Sequence, residues 1–429
     1  MPSPFRPGDS GTVSRGTARV KSNIRSVVVS GVAVLAMLGM TACSSAGTAD
    51  TTNPGASATS APGQSSSASP SPTTDPVAFT TTPDDQATGV AVDTRVTASA
   101  QKGTLTKATL SYTSKKGDRV PVAGTLEGGT WTAGDLLEPG VKYTLALQGK
   151  DADGRTTDIT RTFRTANLTL DQQVYVAVSP RDGGTVGIGL PVVVRFDLPV
   201  TDKASFEKNM KVTTQPAQPG SWYWLSSTEV HWRPKTYWKA GTKVHVEANL
   251  NGVPAGNGRY GQMSRTSDFT IARALVAKVN LKTDQMDVYV NGTWTKRIPV
   301  TGGRPGFITR SGSKVIMDKQ TNITMKAETI GLKKNDPNYY ADTLVKYAMR
   351  VTNSGEFLHS APWSVADQGH RNVSHGCTGM SDANAKWLYD TVIIGDVVET
   401  TGTTRQMTMG NGYADWNMPW STWLKGSAL

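Results

Sequence analysis

Cysteine is scarce in this sequence, which has only Cys43 and Cys377 among 429 residues. Two cysteines cannot supply the disulfide framework that stabilises many small exported domains, so the fold must depend on packed cores. The sequence also lacks a dense stripe of Lys and Arg and any recognisable nucleic-acid-binding motif, which argues against a nucleic-acid partner. Its apolar run at residues 27–40 is shorter than the roughly 20 residues that a membrane-spanning helix needs.

Positive charge, by contrast, is in excess. The chain has 45 Lys and Arg residues against 34 Asp and Glu residues, which gives a formal net charge of +11. Such a charge favours association with an anionic polymer or surface through long-range attraction. With nucleic acid set aside, a membrane and a cell wall are the remaining candidates. The length of the chain and its hydrophobic content of 37% predict about two to four domains.

The N-terminus has the pattern of an export signal, because basic residues precede an apolar run of the right length. The basic residues are Arg15, Arg19, Lys21 and Arg25. The run ends in Met40-Thr41-Ala42-Cys43, which resembles the lipobox of bacterial lipoproteins except that Leu is usual at Met40. The resemblance implies a lipoprotein signal peptide at residues 1–43, a lipidated Cys43, and an exported protein anchored in the cell membrane and facing the cell wall. An ordinary cleaved signal and an uncleaved anchor are the alternatives.

Residues 44–76 consist almost entirely of Ser, Thr, Ala, Pro and Gly, with no aromatic residue. Such a segment cannot bury a core, so it is predicted to be disordered. At an extended length of about 3.1 Å per residue, it could act as a tether that reaches roughly 100 Å from the membrane.

The next two hundred residues predict two β-sandwiches of immunoglobulin-like type, at residues 77–168 and 169–272. Short β-rich segments separated by turn signals run through both regions, at 108–113, 129–132, 141–147, 192–196, 229–232 and 243–247. Neither region gathers catalytic residue types. Their tryptophans are therefore predicted to pack in cores or interfaces.

A third, mainly β unit is predicted at residues 273–401. Alternating apolar residues run into Asn291-Gly292, the strongest short signal for a hairpin turn. A short helix is predicted from Ser381 to Asp390, with Ser381 or Asp382 as its N-cap. Residues 402–429 form a tryptophan-rich tail that is predicted to pack on this unit.

Candidate catalytic residues concentrate in one window of the third unit. His359, His370 and His375 lie there with Cys377, which has no disulfide partner if Cys43 carries lipid. A thiol needs a base or a positive charge to become a useful nucleophile at neutral pH, and histidine is suited to that role. Gly376 allows close backbone approach, so that neighbouring N–H groups could converge on an oxyanion. A zinc site needs three or four ligands and fits this pattern less well, so no metal or cofactor is predicted.

The motif Ser374-His375-Gly376-Cys377, preceded by His359-Ser360, resembles the signature of the YkuD-type L,D-transpeptidase family. The resemblance extends over most of residues 273–429, and the tethered pair of immunoglobulin-like domains resembles the actinobacterial members. It implies 3-3 cross-linking of peptidoglycan stem peptides, with a tetrapeptide donor, a diaminoacyl acceptor and a thioester at Cys377. His359 would be the general base, oriented by the backbone carbonyl of Ser360.

The resemblance also implies the residues that bind the substrate. The N–H groups of His375, Gly376 and Cys377 would form part of the oxyanion hole, completed by Tyr340 or by Tyr339. Pocket-lining and peptide-contacting roles fall on Met325, Trp363, Ser354 and Gly355. Relatives commonly carry Asn where this chain has Gly379, so one hydrogen bond to the substrate is expected to be missing.

Carbapenem-type β-lactams are the inhibitors that the resemblance implies. Two alternatives remain open from the sequence. One is an L,D-carboxypeptidase, in which water discharges the same thioester. The other is a non-catalytic lipoprotein that binds the wall through its sandwich domains.

Overall fold

The computed structural model describes residues 75–114 and 116–429, and strands make up most of its regular structure. Cys43, the predicted signal peptide and the predicted tether as far as residue 74 lie outside the described residues. In the described part of the chain, no helix is long and apolar enough to cross a membrane.

Eight strands form the first sandwich. They are β1 (Ala78–Thr82), β2 (Thr97–Gln101), β3 (Thr104–Thr113), β4 (Arg119–Val122), β5 (Gly124–Glu127), β6 (Thr130–Ala133), β7 (Lys142–Lys150) and β8 (Thr156–Arg164). The strand orders are β1-β2-β6-β5 in one sheet and β4-β3-β7-β8 in the other. Strict alternation along β7 buries Tyr143, Leu145 and Leu147 in the core, as a half-buried strand requires. The prediction of a sandwich is confirmed.

The second sandwich contains eleven strands and one short helix. They are β9 (Gln173–Val174), β10 (Val176–Ser179), β11 (Gly184–Val186), β12 (Val192–Phe196), α1 (Lys203–Lys208), β13 (Met210–Gln215), β14 (Gly220–Trp224), β15 (Glu229–Pro234), β16 (Lys243–Ala248), β17 (Pro254–Gly256), β18 (Arg259–Gly261) and β19 (Arg265–Ile271). Its main sheets have the orders β10-β12-β15-β14 and β11-β19-β16-β13, with β17-β18-β9 as a small third sheet. Trp222, Trp224, Trp232 and Trp238 are all buried in its core, as predicted.

The third domain has nine strands and one regular helix. They are β20 (Leu275–Asn280), β21 (Gln285–Val290), β22 (Thr293–Pro299), β23 (Gly312–Val315), β24 (Asp318–Met325), β25 (Thr343–Arg350), β26 (Phe357–Ser360), β27 (Thr378–Met380), α2 (Asp382–Thr391) and β28 (Val397–Thr401). The strand orders are β22-β21-β20-β28-β23 and β24-β25-β26-β27. Ala385 and Leu388 of α2 are buried in the core that the two sheets share.

Two local predictions in this domain are confirmed. Asn291 and Gly292 join β21 to β22 with φ values of 50° and 81°, the left-handed geometry of a tight hairpin turn. Ser381 is the N-cap of α2, and its side chain accepts a hydrogen bond from the N–H of Asn384. The tail adds α3 (Trp420–Trp423). Single 3₁₀ turns lie at Leu170–Gln172, Ala327–Ile330, Pro362–Ser364, Asp415–Asn417 and Leu424–Gly426.

The second sandwich and the third domain share one hydrophobic core. Val315 and Val397 of the third domain belong to the same buried cluster as Val192 and Phe269 of the sandwich. The backbone crosses the junction at Gly187, whose N–H donates to the carbonyl of Ile394 at 2.8 Å. A Cβ at position 187 would lie 2.3 Å from backbone atoms of the third domain, so only glycine fits there.

The tail crosses this junction and contacts both domains. On the third-domain side, the Asn417 side chain accepts a hydrogen bond from the N–H of Ser313 and donates one to its carbonyl, both at 2.7 Å. On the sandwich side, the Trp423 indole donates to the carbonyl of Ser221 at 2.9 Å and stacks on Tyr223. The sequence predicts packing of the tail on the third domain. The structure shows contacts with that domain and also with the second sandwich, whose aromatic and cationic surface attracts indole rings.

That surface centres on Arg233 of β15. Its guanidinium carbon lies 4.4 to 5.3 Å from the ring centroids of Trp416, Trp420 and Trp423. The same guanidinium donates to the carbonyl of Met418 at 2.9 Å. One buried cation therefore organises all three tail tryptophans.

A second buried cation fixes the tail through His231. Its Nδ1 lies 2.8 Å from Asp415 of the tail, and its Nε2 lies 2.8 Å from Glu229. Both carboxylates accept, so both ring nitrogens donate and the imidazole is charged. Burial alone lowers the pKa of His231, but the two carboxylates raise it to about 9. Because the folded-state pKa exceeds the ordinary 6.5, the stabilisation is complete below that value and is lost as the pH rises through about 9.

We therefore predict that replacing His231 with Gln destabilises the protein more at pH 7 than at pH 10. The free energy of unfolding of the wild type should exceed that of the variant by a margin that narrows by up to about 3 kcal/mol between pH 7 and pH 10. Chemical denaturation followed by tryptophan fluorescence at a series of pH values measures this margin.

His245 of β16 supplies the matched control, because it also contacts two carboxylates, those of Asp268 and Glu247. Its side chain is 38% exposed, so solvent screens the interactions. The carboxylates raise the pKa of His245 as well, but the variant His245→Gln should show a much smaller narrowing. If the difference in the free energy of unfolding between the wild type and His231→Gln does not change with pH, the imidazole of His231 is not charged in the folded protein.

Candidate active site

A pocket of about 560 Å³ opens on the sheet β24-β25-β26-β27 of the third domain. Nine of the predicted catalytic and substrate-binding residues line it: Cys377, His359, His375, Tyr340, Met325, Ser354, Gly355, Trp363 and Gly379. Ser360 and Gly376 are the immediate chain neighbours of His359 and Cys377. Among the described residues, no group of three His, Cys, Asp or Glu side chains is arranged to hold a metal ion.

The strand register places His359 and Cys377 on the same face. β26 and β27 are parallel, and His359 is paired with Gly379. Because side chains alternate along a strand, Cys377, two residues before Gly379, shares its face and lies diagonally across from His359. Gly379 itself packs closely. A Cβ there would lie 3.0 Å from the Ala361 Cβ and 3.2 Å from the Thr301 Cγ2, so a larger side chain needs these neighbours to move.

His359 is held in one tautomer. Its Nδ1 lies 2.7 Å from the backbone carbonyl of Ser360, which can only accept, so Nδ1 carries the proton and Nε2 is left as the acceptor. Burial lowers the pKa of His359, and the Ser360 carbonyl opposes this only in part. The imidazole is therefore neutral near pH 7. The Ser360 hydroxyl donates to Asp382 at the start of α2 and so fixes the segment.

Cys377 is partly buried, and its thiol donates to the carbonyl of Gly355, with Sγ and O separated by 3.7 Å. Burial raises the pKa of this thiol to about 11, although a backbone hydrogen bond from Phe357 favours the thiolate. The site thus holds a protonated thiol that faces the carbonyl of Gly355, together with a neutral base.

The loop before Cys377 uses an unusual backbone conformation. Gly376 has φ = 123°, which favours glycine. Its N–H, which was expected to face an oxyanion, donates instead to the Ser374 hydroxyl at 3.1 Å, and that hydroxyl donates to the carbonyl of Cys377 at 2.7 Å. The turn is stabilised from within, because a serine side chain reaches the N–H two residues later.

The segment that carries Tyr339 and Tyr340 covers one side of the pocket. Tyr339 points away and donates to Glu328 at 2.8 Å, whereas Tyr340 faces the pocket with its ring centroid 4.8 Å from that of His375. Burial, followed by the nearby Cys377, raises the pKa of Tyr340 to about 12, so its hydroxyl remains a donor. His375 secures this segment, since its Nε2 lies 3.0 Å from the carbonyl of Asn338.

The loop that presents Gly355 is held by the tail. The Asn411 side chain accepts from the N–H of Ser354 at 2.9 Å and donates to its hydroxyl at 3.0 Å. Asn353 donates to the carbonyl of Gly410 at 2.9 Å. The acceptor of the Cys377 thiol is therefore positioned in part by residues beyond the third domain.

A buried ion cluster behind the nucleophile was not predicted from the sequence. Lys314 and Arg310 both contact the carboxylate of Glu356 at 2.7 Å. Lys314 is 2% and Glu356 is 6% exposed. The apolar and polar residues of 313–317 gave no indication that Lys314 is buried. Glu356 follows a glycine, and a residue in that position is more often part of a surface turn. Arg310 directly follows Thr309, whose hydroxyl donates to the carbonyl of Gly376 at 2.8 Å, so the cluster supports the nucleophile loop through this neighbour.

Comparison with known proteins gives consistent matches. The model of the bacterial Ig domain matches residues 87–254, and that of the L,D-transpeptidase catalytic domain matches residues 275–400. L,D-transpeptidase 2 of Mycobacterium tuberculosis is 38% identical over 347 residues, which are 80% of this chain and 83% of that protein. L,D-transpeptidase 5 of the same species is 32% identical over 328 residues, 75% of this chain and 70% of that protein.

A solved structure of LdtMt1 in complex with imipenem is 36% identical and covers 52% of this chain and 97% of its own, with a TM-score of 0.47. Together, fold, site and relatives define a multidomain, β-rich acyltransferase with immunoglobulin-like domains before its catalytic domain. The chain belongs to the L,D-transpeptidase family, the transpeptidases that cross-link peptidoglycan.

We predict that replacing Glu356 with Gln destabilises the protein by about 3–5 kcal/mol, because Lys314 and Arg310 keep their buried charges without a counter-ion. Adding Lys314→Met should recover part of this loss, since it removes one of the unpaired charges. Urea denaturation followed by tryptophan fluorescence gives both values.

The exposed pair Lys386–Asp390 is the control. Its variant Asp390→Asn should change the free energy of unfolding little, because solvent screens a surface pair. If Glu356→Gln costs no more than Asp390→Asn, the cluster does not contribute to the stability of the domain.

Proposed function

We propose that this protein forms 3-3 cross-links between peptidoglycan stem peptides, with Cys377 as the nucleophile and His359 as the general base. The observation that carries the proposal is the pairing of a thiol with a neutral imidazole on one face of β26 and β27, inside a pocket large enough for a peptide. Membership of the L,D-transpeptidase family supplies the substrate class.

The reaction begins when the donor tetrapeptide displaces the thiol from Gly355. The thiol proton passes to Nε2 of His359 while Sγ attacks the carbonyl carbon of the third, diaminoacyl residue. The negative charge on the carbonyl oxygen is met by the Tyr340 hydroxyl and by the backbone N–H groups of His375 and Cys377, since that of Gly376 is bonded to Ser374. His359 then returns the proton to the departing amine of D-alanine, which leaves a thioester at Cys377.

The acceptor stem discharges the thioester. Its side-chain amine attacks the same carbonyl carbon, His359 takes a proton from that amine, and the proton returns to the sulfur as the C–S bond breaks. Trp363 flanks the side of the pocket from which the acceptor amine approaches. Its side chain is 60% exposed, and its ring centroid lies 6.2 Å from that of His359. Met325 packs in the small cluster beside Cys377 and lines the donor side. Ser354 and Gly355 present backbone groups to the peptide.

Carbapenem-type β-lactams fit the same chemistry. The relative LdtMt1 has been solved in complex with imipenem. A β-lactam carbonyl in the position of the donor carbonyl would acylate Cys377 by the same proton transfer to His359. We include carbapenems among the inhibitors of this enzyme on that ground.

The N-terminal sequence supports export and lipid anchoring at Cys43, with residues 44–76 as a tether that lets the catalytic domain reach the wall. The net charge of +11 favours an anionic envelope. On this proposal, residues 77–168 and 169–272 are the immunoglobulin-like domains, 273–401 the catalytic domain, and 402–429 a C-terminal subdomain.

We predict that Cys377→Ala abolishes acylation and that His359→Ala slows it by about 10²–10⁴-fold, the usual effect of losing a general base. The mass of the intact protein after incubation with a tetrapeptide or a carbapenem measures the covalent adduct, with and without an acceptor stem. His359→Ala should retain a thiol that can be alkylated. Normal acylation of His359→Ala would contradict its role as the base, and release of tripeptide regardless of acceptor would make the protein a carboxypeptidase.

We also predict that Cys43→Ala moves the protein out of the lipid-labelled membrane fraction, because the lipidated side chain is then missing. Fractionation after metabolic labelling with a fatty acid measures this. The matched variant Ser44→Ala should keep both the label and the location. A Cys43→Ala protein that still carries label is anchored elsewhere.

A further inference from the structure

Arg350, at the end of β25, brings a positive charge into the pocket in line with the nucleophile. Its cross-strand partner on β26 is Phe357, and Cys377 stands next to Phe357 on the other side, since Leu358 pairs with Thr378. All three side chains line the pocket. They form one row across three adjacent strands, in the order guanidinium, aromatic ring and thiol.

No carboxylate of the described residues neutralises this guanidinium. Its register partner on β24, Asp318, accepts instead from the Gln320 side chain at 2.7 Å and from the N–H of Lys319 at 2.8 Å. Within the described chain, the Arg350 guanidinium makes one hydrogen bond, from Nη1 to the carbonyl of Thr352 at 3.2 Å, and its central carbon lies 4.3 Å from the Phe357 ring centroid.

The other charged side chains of the pocket differ from Arg350 in this respect. Lys326 pairs with Asp342 at 3.5 Å, and Asp367 is bonded to Arg371. Among these three pocket-lining charges, Arg350 alone lacks a counter-ion in the described structure. A guanidinium offers five N–H donors in a planar fork that matches a carboxylate, and the contact with Thr352 uses one of them.

We propose that Arg350 binds a carboxylate of the donor stem peptide and thereby selects donors that present it. This inference rests on the proposed function, because it assumes that the donor carbonyl sits at Cys377. The carboxylate that fits best is the terminal one of the departing D-alanine.

Distances favour that carboxylate. Two strand spacings separate the backbones at Arg350 and Cys377 by about 10 Å, and the long arginine side chain spans part of that gap. The carboxylate carbon of a C-terminal alanine lies about 3–4 Å from the carbonyl carbon that precedes it. A donor carbonyl at the thiol therefore brings the terminal carboxylate over Phe357, towards the guanidinium. The second carboxylate of a diaminoacyl residue lies at the far end of a flexible side chain and reaches this position less directly.

The test compares four tetrapeptide donors, in which the C-terminal carboxylate and the diaminoacyl side-chain carboxylate are each either free or amidated. Acylation of Cys377 is followed by intact mass, and D-alanine or D-alanine amide release gives kcat/KM. The wild type should prefer the free C-terminal carboxylate by about 10- to 100-fold, the range expected for a charge-assisted hydrogen bond.

Arg350→Gln should lower kcat/KM on the donor with a free C-terminal carboxylate by that factor and leave kcat/KM on the C-terminal amide unchanged. The ratio of these two kcat/KM values should therefore fall close to one. Arg350→Lys should keep part of the preference, because it retains the charge without the planar fork. The control Lys326→Gln removes a charge that already has a partner, and its ratio of acid to amide should equal that of the wild type.

For each of the two carboxylates, the preference is the ratio of kcat/KM on the free acid to kcat/KM on the amide. If Arg350→Gln removes the preference only for the diaminoacyl carboxylate, Arg350 binds that carboxylate instead. If Arg350→Gln lowers kcat/KM equally on all four donors, with thermal unfolding unchanged, carboxylate recognition by Arg350 is excluded. A wild type that is not acylated at Cys377 by any donor would instead refute the proposed function, so the two failures can be told apart.

Discussion

The parallel pairing of β26 with β27 is the contact on which the catalytic arrangement depends. Residues 18 positions apart in the chain, His359 and Cys377, meet because the register sets His359 opposite Gly379 and leaves Cys377 on the same face. A shift of one residue would turn one of the two side chains into the core. The surrounding elements preserve this register: α2 is tied to Ser360 through Asp382, and the buried Lys314–Glu356–Arg310 cluster supports the loop of the nucleophile.

Burial acts on the two catalytic candidates in opposite ways that suit one reaction. It lowers the pKa of His359, which keeps the base unprotonated, and it raises the pKa of Cys377 to about 11, which keeps the thiol from ionising before a substrate arrives. This protection matters because the thiolate is the form that reacts with oxidants. The hydrogen bond to Gly355 adds to the protection, because the thiol proton is donated to a carbonyl that cannot remove it.

Features that depend on local chemistry were predictable from the sequence, and features that depend on distant contacts were not. The Asn291-Gly292 turn, the Ser381 cap and the strands of both sandwiches follow from residues within one element. The motif around Cys377 gave the pocket residues through a family resemblance. In contrast, the Lys314–Glu356 pair joins residues 42 apart, and the His231–Asp415 bond joins residues 184 apart. The residue pattern of β15 does not show that His231 will bind a carboxylate of the tail. For this reason the sequence predicted contacts between the tail and only one of the two domains that it touches.

The docking of the tail also has a consequence for how the protein is made. Trp416 reaches Gly189 across 227 residues, and Asn411 reaches back 57 residues to the loop that faces the thiol. Contacts of such separation form only when the chain between them is complete. Until residues 411–423 have been synthesised, Arg233 and His231 lack their contacts with the tail, and the loop at Gly355 lacks its support. The catalytic pocket is therefore among the last parts of the molecule to be completed, although the first sandwich, which has a core of its own, can fold before it.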